Sequence, residues 1–353
     1  MKTKQLTIIV IILAAVAALF LFREKFGTVR SELKDFAVKD TASIDKIFLA
    51  DKSGHEITLE RKGKGLWMVN EKFIAQQYLI KSLLEVIYKI DVRTPVSKAA
   101  YNTVVKRLAT NGIKCEIYAN EKSKPVKVYY VGGQTEDVLG TFMMLENSST
   151  PFITEIPGFN GYLTPRYTVE LNDWRSNSLF NYQLNDLKSV SVSYEHYPQN
   201  SFSITNENGK FTVHPLRPSP MAKTASIPTD SIAIENYLSF FQNQGFETWE
   251  RNMTDKQKDS ILAIPAPIKV SVIDSKNNEK SIDLYPMAIS KTSLSQFDDD
   301  GNPLKYDLDR MFGIIHPENE WVTVQHFSFD RILRQLDDFD TGKNKKQGVA
   351  PVL

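Results

Sequence analysis

One pattern constrains this chain more than any other: a run of short apolar segments that occurs twice in the same order. The first run starts with "IDKIFLAD", whose apolar positions are Ile44, Ile47 and Leu49. It continues with "HEITLERK", carrying Ile57 and Leu59, across a Lys52-Ser53-Gly54 turn. Alternation over so few residues, broken by a glycine turn, predicts paired strands. "GKGLWMV" predicts a third strand with Trp67 and Val69 on one face. "QQYLIKSLLEVIYKI" sets Ile80, Leu83, Leu84 and Ile87 at i, i+3, i+4, i+7, the spacing of an amphipathic helix. "VSKAAYNTVVKRLATNG" predicts a second helix, N-capped by Ser97 and ended by Gly112. "IKCEIYA" and "KPVKVYYVGG" close the run as strands.

The same order returns about 145–155 residues later. "LKSVSVSYE", with Leu187, Val190 and Val192, takes the place of the first strand. "FSITNENGKFTV" puts Gly209 and Phe211 where Gly65 and Trp67 stand. "SIAIENYLSFFQNQ" sets Ile234, Tyr237, Leu238 and Phe241 in the helical places of Ile80, Leu83, Leu84 and Ile87. "PIKVSVIDSKNNEKSIDLYP" echoes "GIKCEIYANEKSKPVKVYYV", pairing Lys124 with Lys280, Val126 with Ile282 and Tyr129 with Tyr285. The second copy gains the proline-rich "HPLRPSPMAKTASIPTD", and its tail diverges. This order predicts a duplicated α+β unit with antiparallel sheets, the copies meeting near Asp186 in "NSLFNYQLND".

Ahead of the first copy lies "MKTKQLTIIVIILAAVAALFLFREKFG". From Leu6 to Phe22 nothing is charged and only Thr7 is polar. Those ~17 residues would span ~25 Å as a helix, at the short end of what crosses a bilayer core. The run is also longer than the apolar core of a cleavable signal. Ala15 and Ala17 have A-x-A spacing, but no polar region precedes the cut, so retention is favoured over cleavage. Arg23, Lys25, Arg30 and Lys34 follow the segment while Lys2 and Lys4 precede it, which by charge alone would keep the body inside. The four-residue leader followed directly by an apolar core looks instead like an export signal. An extracytoplasmic body on the cytoplasmic (inner) membrane is the favoured reading. The expected organisation is therefore a cytoplasmic leader at 1–5, a single transmembrane helix at 6–22 and a stalk at 23–40. Two tandem, internally repeated α+β units follow at 41–185 and 186–339, then a disordered tail at 340–353.

Composition narrows the functional classes. Lys+Arg 43 against Asp+Glu 42 leaves a formal charge of +1. Nucleic acid is thereby disfavoured as a partner, since phosphate neutralisation needs a basic excess. Cys115 is the only cysteine, so no internal disulfide or multi-thiolate metal site can form. It alternates with Ile113 and Ile117, which predicts an inward-facing structural thiol, and its position excludes a lipoprotein anchor. The five histidines, His55, His196, His214, His316 and His326, lack metal-ligand spacing. Phosphate-loop, dinucleotide, nucleophile-elbow and zinc-helix motifs are missing too. Neither a catalytic residue nor a cofactor is predicted.

Two local patterns suggest sites. In "QFDDDGNPLKYD", with Gly301 as the sixth position of a calcium loop, Asp298, Asp300 and Asp307 fall at the third, fifth and twelfth. Gln296 at the first position and the missing glutamate at the twelfth favour a solvated acidic turn. "NDWRSNSLF" places Trp174 beside Arg175 at the junction of the repeats; these residue types are enriched at interface hot spots and could form a docking surface, but packing between the two halves is the favoured reading. "YEHYP" offers tyrosines that could stack a sugar or a peptide.

The strand ending in Gly65-Leu66-Trp67, the helix pair and the stretch "GTFMMLENSSTPFITEIPGFNGYLTPRYTVELNDWRSNSLF" resemble a bacterial family catalogued as domain of unknown function 4340. The resemblance covers most of the chain after residue 27 and rests on the positions of Trp67, Phe152, Trp174 and Arg175. It implies one amino-terminal membrane segment, an extracytoplasmic body and an envelope role beside ABC-type exporters or gliding-type accessory proteins. It supplies no active site. The expected function is a non-catalytic accessory or scaffold for an envelope transport or assembly complex. The alternatives are an envelope-carbohydrate hydrolase or transferase, or a glycan- or peptide-binding module.

Overall fold

A computed structural model describes residues 34–63, 65–216, 229–251, 253–291 and 293–341. The chain divides into two compact units between Ser176 and Asn177.

In the first unit the strands are β1 (Ile44–Ala50), β2 (Glu56–Lys62), β3 (Leu66–Val69), β4 (Phe73–Ile74), β5 (Asp91–Pro95), β6 (Ile113–Ala119), β7 (Lys127–Gln134), β8 (Thr141–Leu145) and β9 (Phe152–Glu155). They form one sheet of nine antiparallel strands in the order β4-β3-β2-β1-β6-β7-β8-β9-β5. Helices α1 (Gln77–Lys89) and α2 (Lys98–Asn111) lie between β4 and β6, and a single turn, α3 (Leu171–Trp174), ends the unit. Helix α1 buries Ile80, Leu83, Val86 and Ile87 in the cluster that holds Ile47, Trp67, Cys115 and Tyr129. Helix α2 contributes Val104 and Leu108 to a separate cluster with Tyr130, Phe142 and Met144. Since Tyr129 and Tyr130 are adjacent in one strand, the two helices cover opposite faces of the sheet. Ser97 caps α2 by accepting from the Ala100 amide at 3.3 Å.

The second unit opens with β10 (Ser178–Phe180), followed by β11 (Leu187–Tyr194), β12 (Phe202–Glu207), β13 (Lys210–Pro215), β14 (Gln244–Gly245), β15 (Thr248–Trp249), β16 (Ile268–Asp274), β17 (Glu279–Ala288), β18 (Tyr306–His316) and β19 (Glu320–Gln325). Eight of these strands form a sheet in the order β13-β12-β11-β16-β17-β18-β19-β15, and β10 pairs with β14. The helices are α4 (Ser231–Ser239), α5 (Asp255–Leu262) and α6 (His326–Phe329).

Strand for strand, this order repeats that of the first sheet from β3 to β5, and the registers match as well. Ile47 stands opposite Leu59 and Ile117; Val190 stands opposite Ile204 and Val272. Even an irregularity recurs. The inward residues Ile44 and Ile47 are three apart, and a register shift between Ile44 and Lys46 absorbs the extra residue. Leu187 and Val190 show the same spacing, with the shift between Leu187 and Ser189. One pairing read from the sequence is corrected. Cys115 faces Tyr129 as Val270 faces Ile282, so Tyr129 corresponds to Ile282 and not to Tyr285. The β16–β17 turn is shorter than the β6–β7 turn, and aligning the lysines skipped that difference.

The expected α+β class with a transmembrane helix is also corrected. The architecture is predominantly antiparallel sheet, with six helices among the described residues, none longer than the 14 residues of α2. No helix among the described residues is long and apolar enough to cross a membrane. The segment expected to do so, 6–22, lies outside the described residues, as do the leader, most of the stalk and nearly all of the tail.

The edge strand β5 is held to the sheet by Arg93. Its guanidinium donates to Glu155, to the Leu139 carbonyl and to Asp137 at 3.2 Å.

Ile47 is fully buried at the centre of the first sheet. Ile47→Ala is expected to lower unfolding free energy by about 2–5 kcal/mol, and Ser97→Ala by about 1 kcal/mol. Chemical denaturation of the full chain measures both.

Candidate functional site around helix α1

Burying one stripe of α1 turns the opposite stripe to solvent. Tyr78, Lys81, Glu85, Tyr88 and Lys89 share the outward side, since positions three, four and seven apart stack along a helix. Tyr78 is 76% exposed and Tyr88 46%. The Lys89 ammonium donates to the Glu85 carboxylate at 2.6 Å across one turn. That hydrogen bond, then the Lys89 charge, with smaller help from Lys81 and Arg166, holds the Glu85 carboxyl below its usual range.

Three clefts follow this helix. The first, about 540 Å³, lies between α1 and residues 156–166 and is lined by Tyr78, Lys81, Glu85, Lys89, Phe159 and Arg166 among others. The second, about 650 Å³, includes Trp67, Gln77, Leu84 and Tyr88 and shares Lys81 and Glu85 with the first. The third, about 450 Å³, shares Tyr88 with the second and Lys89, Ile156 and Pro157 with the first. Their common residues make them one track around α1.

The far wall of the first cleft is fixed by its own chemistry. The Leu163 amide donates to Thr141 Oγ1 at 2.7 Å, and Thr164 Oγ1 donates to the Gly132 carbonyl at 2.6 Å. Tyr167 is buried, with its hydroxyl 3.1 Å from that of Tyr129. From this base the Arg166 guanidinium sits 5.6 Å from the centre of the Phe159 ring. Gly161 passes beneath the same ring: a Cβ there would lie 2.9 Å from Phe159 Cε1. Phe159 is therefore an ordered aromatic ring, yet 37% exposed. The lining sets Lys81, Lys89 and Arg166 and the Tyr78 and Phe159 rings among aliphatic residues such as Val86, Ile156 and Leu163, which suits recognition of charge and flat apolar surface.

The residues proposed from sequence sit elsewhere. Trp174 is 1% exposed, within the core of the first unit, and its indole Nε1 donates to the Thr168 carbonyl at 2.8 Å. Arg175 is 9% exposed, its guanidinium 4.1 Å from the Phe73 ring centre and Nη1 3.3 Å from Asn172 Oδ1. Neither offers a docking surface; packing within the unit accounts for both. Asp298 is occupied by its own turn, accepting from the Asn302 and Asp300 amides at 2.7 and 3.1 Å. Asp300 is exposed at the same turn. Asp307 lies on β18 and accepts from the Ser293 hydroxyl at 2.6 Å. Burial pushes its carboxyl up, but Ser293 and the Asp309 and Arg310 amides outweigh that and hold it low. The three aspartates do not converge, and no group of three metal-ligating side chains occurs among the described residues. Of the "YEHYP" tyrosines, Tyr194 is buried with its hydroxyl on the Arg334 carbonyl, and Tyr197 is exposed.

Of the stripe expected from sequence, Ile80, Leu83 and Ile87 are buried, whereas Leu84 is half-buried at the second cleft and Val86 is buried in its stead. The complement of that stripe was available from the same periodicity. Phe159 and Arg166 were not, because only the fold brings residues some 80 positions away to α1.

Cys115 is fully buried, and burial pushes its thiol up to about 12. The native thiol therefore stays neutral between about pH 7 and 9, where an unfolded one ionises. Iodoacetamide should label the native chain far more slowly than the denatured chain across that range, by mass spectrometry. Trp174→Ala is expected to cost about 3–5 kcal/mol of stability, read by chemical denaturation. No family model, curated protein or solved structure matches the chain.

Proposed function

We propose that this chain is a membrane-tethered, extracytoplasmic interaction protein of the cell envelope, an accessory or scaffold rather than an enzyme. The first sheet unit presents the track around α1 to its partner. The observation that carries this reading is the outward stripe of α1. Two tyrosines, two lysines and a glutamate held ionised by Lys89 face open clefts, which supports binding more than bond-making. The apolar run 6–22 supports the tether, and the resemblance to the domain of unknown function 4340 family supports the envelope setting. A tether confines the body to the membrane surface and raises its effective concentration for partners held there, such as an exporter or assembly subunit.

The test is a photo-crosslinking amino acid at position 78 of the full chain in living cells, with position 106 on α2 as the control. The expected outcome is a membrane-fraction protein, a body digested by protease added outside spheroplasts, and a light-dependent adduct from position 78 only. A soluble chain, a protected body, or equal adducts from both positions would reject the proposal.

A further inference from the structure

We propose that the track around α1 binds an acidic saccharide chain, whose rings lie on Tyr78 and Phe159 and whose carboxylates meet Lys81 and Arg166. This rests on the reading of α1 as the binding face and names what that face takes.

Charge gives the first argument. Among the described residues the first cleft is lined by one carboxylate, Glu85, against Lys81, Lys89 and Arg166, and the third by Asp35 and Asp91 against Lys34, Lys39 and Lys89. Lys89 is engaged with Glu85. Lys81 and Arg166 form no ion pair among the described residues and so remain to meet an anion. Lys81 on α1 and Arg166 on the facing wall would meet separate carboxylates of one anionic chain lying in the cleft.

Shape gives the second. Tyr78 and Phe159 line the same cleft from opposite walls, and Tyr88 lines the two clefts beyond. Each offers a flat apolar face with water beside it. Pyranose rings have a complementary C–H face, and covering such aromatic surface is favourable. Phe159 is preorganised between the Gly161 backbone and the Arg166 guanidinium, so little ordering is left for binding.

The chain also contains its own control. Helix α4 occupies in the second sheet unit the place of α1 in the first, with Ile234, Tyr237 and Leu238 buried. At the positions of Tyr78, Lys81 and Glu85 it carries Ile232, Glu235 and Ser239. The buried stripe is kept while the outward cation becomes a carboxylate. The fold therefore does not require the aromatic and cationic stripe of α1.

The experiment uses the purified full chain in detergent with three probes of equal length. These are unsulfated chondroitin, which has a carboxylate on every second ring, neutral dextran, and polyglutamate. Chondroitin is expected to bind, dextran at least ten-fold more weakly, and affinity should fall as salt rises. Tyr78→Ala and Lys81→Glu, both at exposed positions, should each weaken chondroitin binding about ten-fold or more. No chondroitin binding would overturn the proposal. Polyglutamate binding as tightly, with Tyr78→Ala without effect, would overturn it in favour of an acidic peptide. If chondroitin fails while position 78 still crosslinks in cells, the interaction reading stands and only the saccharide is removed.

Discussion

The pairing of β1 with β6 is the contact on which the rest of the first unit depends. Ile47 opposes Ile117 and Leu49 opposes Cys115, joining strands some 70 residues apart in the chain. Of the chain between them, β2–β4 extend the sheet beyond β1 and β5 joins its other edge, while α1 and α2 cover its opposite faces. Closing so long a loop is entropically costly, and it is offset by apolar cross-strand pairs buried on both flanks of β1. The β11–β16 pairing does the same in the second unit, with Val190 on Val272.

Much of this was legible in the sequence because a strand with one buried face writes its geometry as alternation. The core run of β1–β3, α1, α2, β6 and β7, the inward Cys115, the Ser97 cap and the equivalence of Trp67 with Phe211 all follow from local spacing. Register across a turn does not. The Tyr129–Tyr285 alignment failed because matching side-chain types outweighed a difference in turn length. The balance of helix and sheet was misjudged because the helical stripes are conspicuous, while β4, β5, β14 and β15 are short and bury little. β8 and β9 were missed although they bury alternate residues, as were β18 and β19, which each bury three in a row.

Trp174 and Arg175 show why a site is harder to read than a fold. Tryptophan beside arginine is equally at home in an interface or in a core, and composition alone does not say which. The structure decides it through the Thr168 carbonyl, six residues from Trp174, and through the Phe73 ring, a partner that the sequence does not bring near Arg175. The acidic turn is similar. Asp298 and Asp307 fall at plausible ligand spacing, yet each already has local donors. The α1 stripe, by contrast, stands out only when exposure and the opposing loop are seen together.

The clasp of Arg93 on β5 has a consequence at the margin of the nine-stranded sheet. An outermost strand normally leaves a row of unsatisfied backbone groups that can recruit a strand from another molecule. Here that margin ends in Pro95, which has no amide hydrogen to give, and carries a charged side chain fastened across to Glu155. The opposite margin, β4, is only two residues long. The nine-stranded sheet thus offers a neighbouring molecule few places to zip into a shared ribbon.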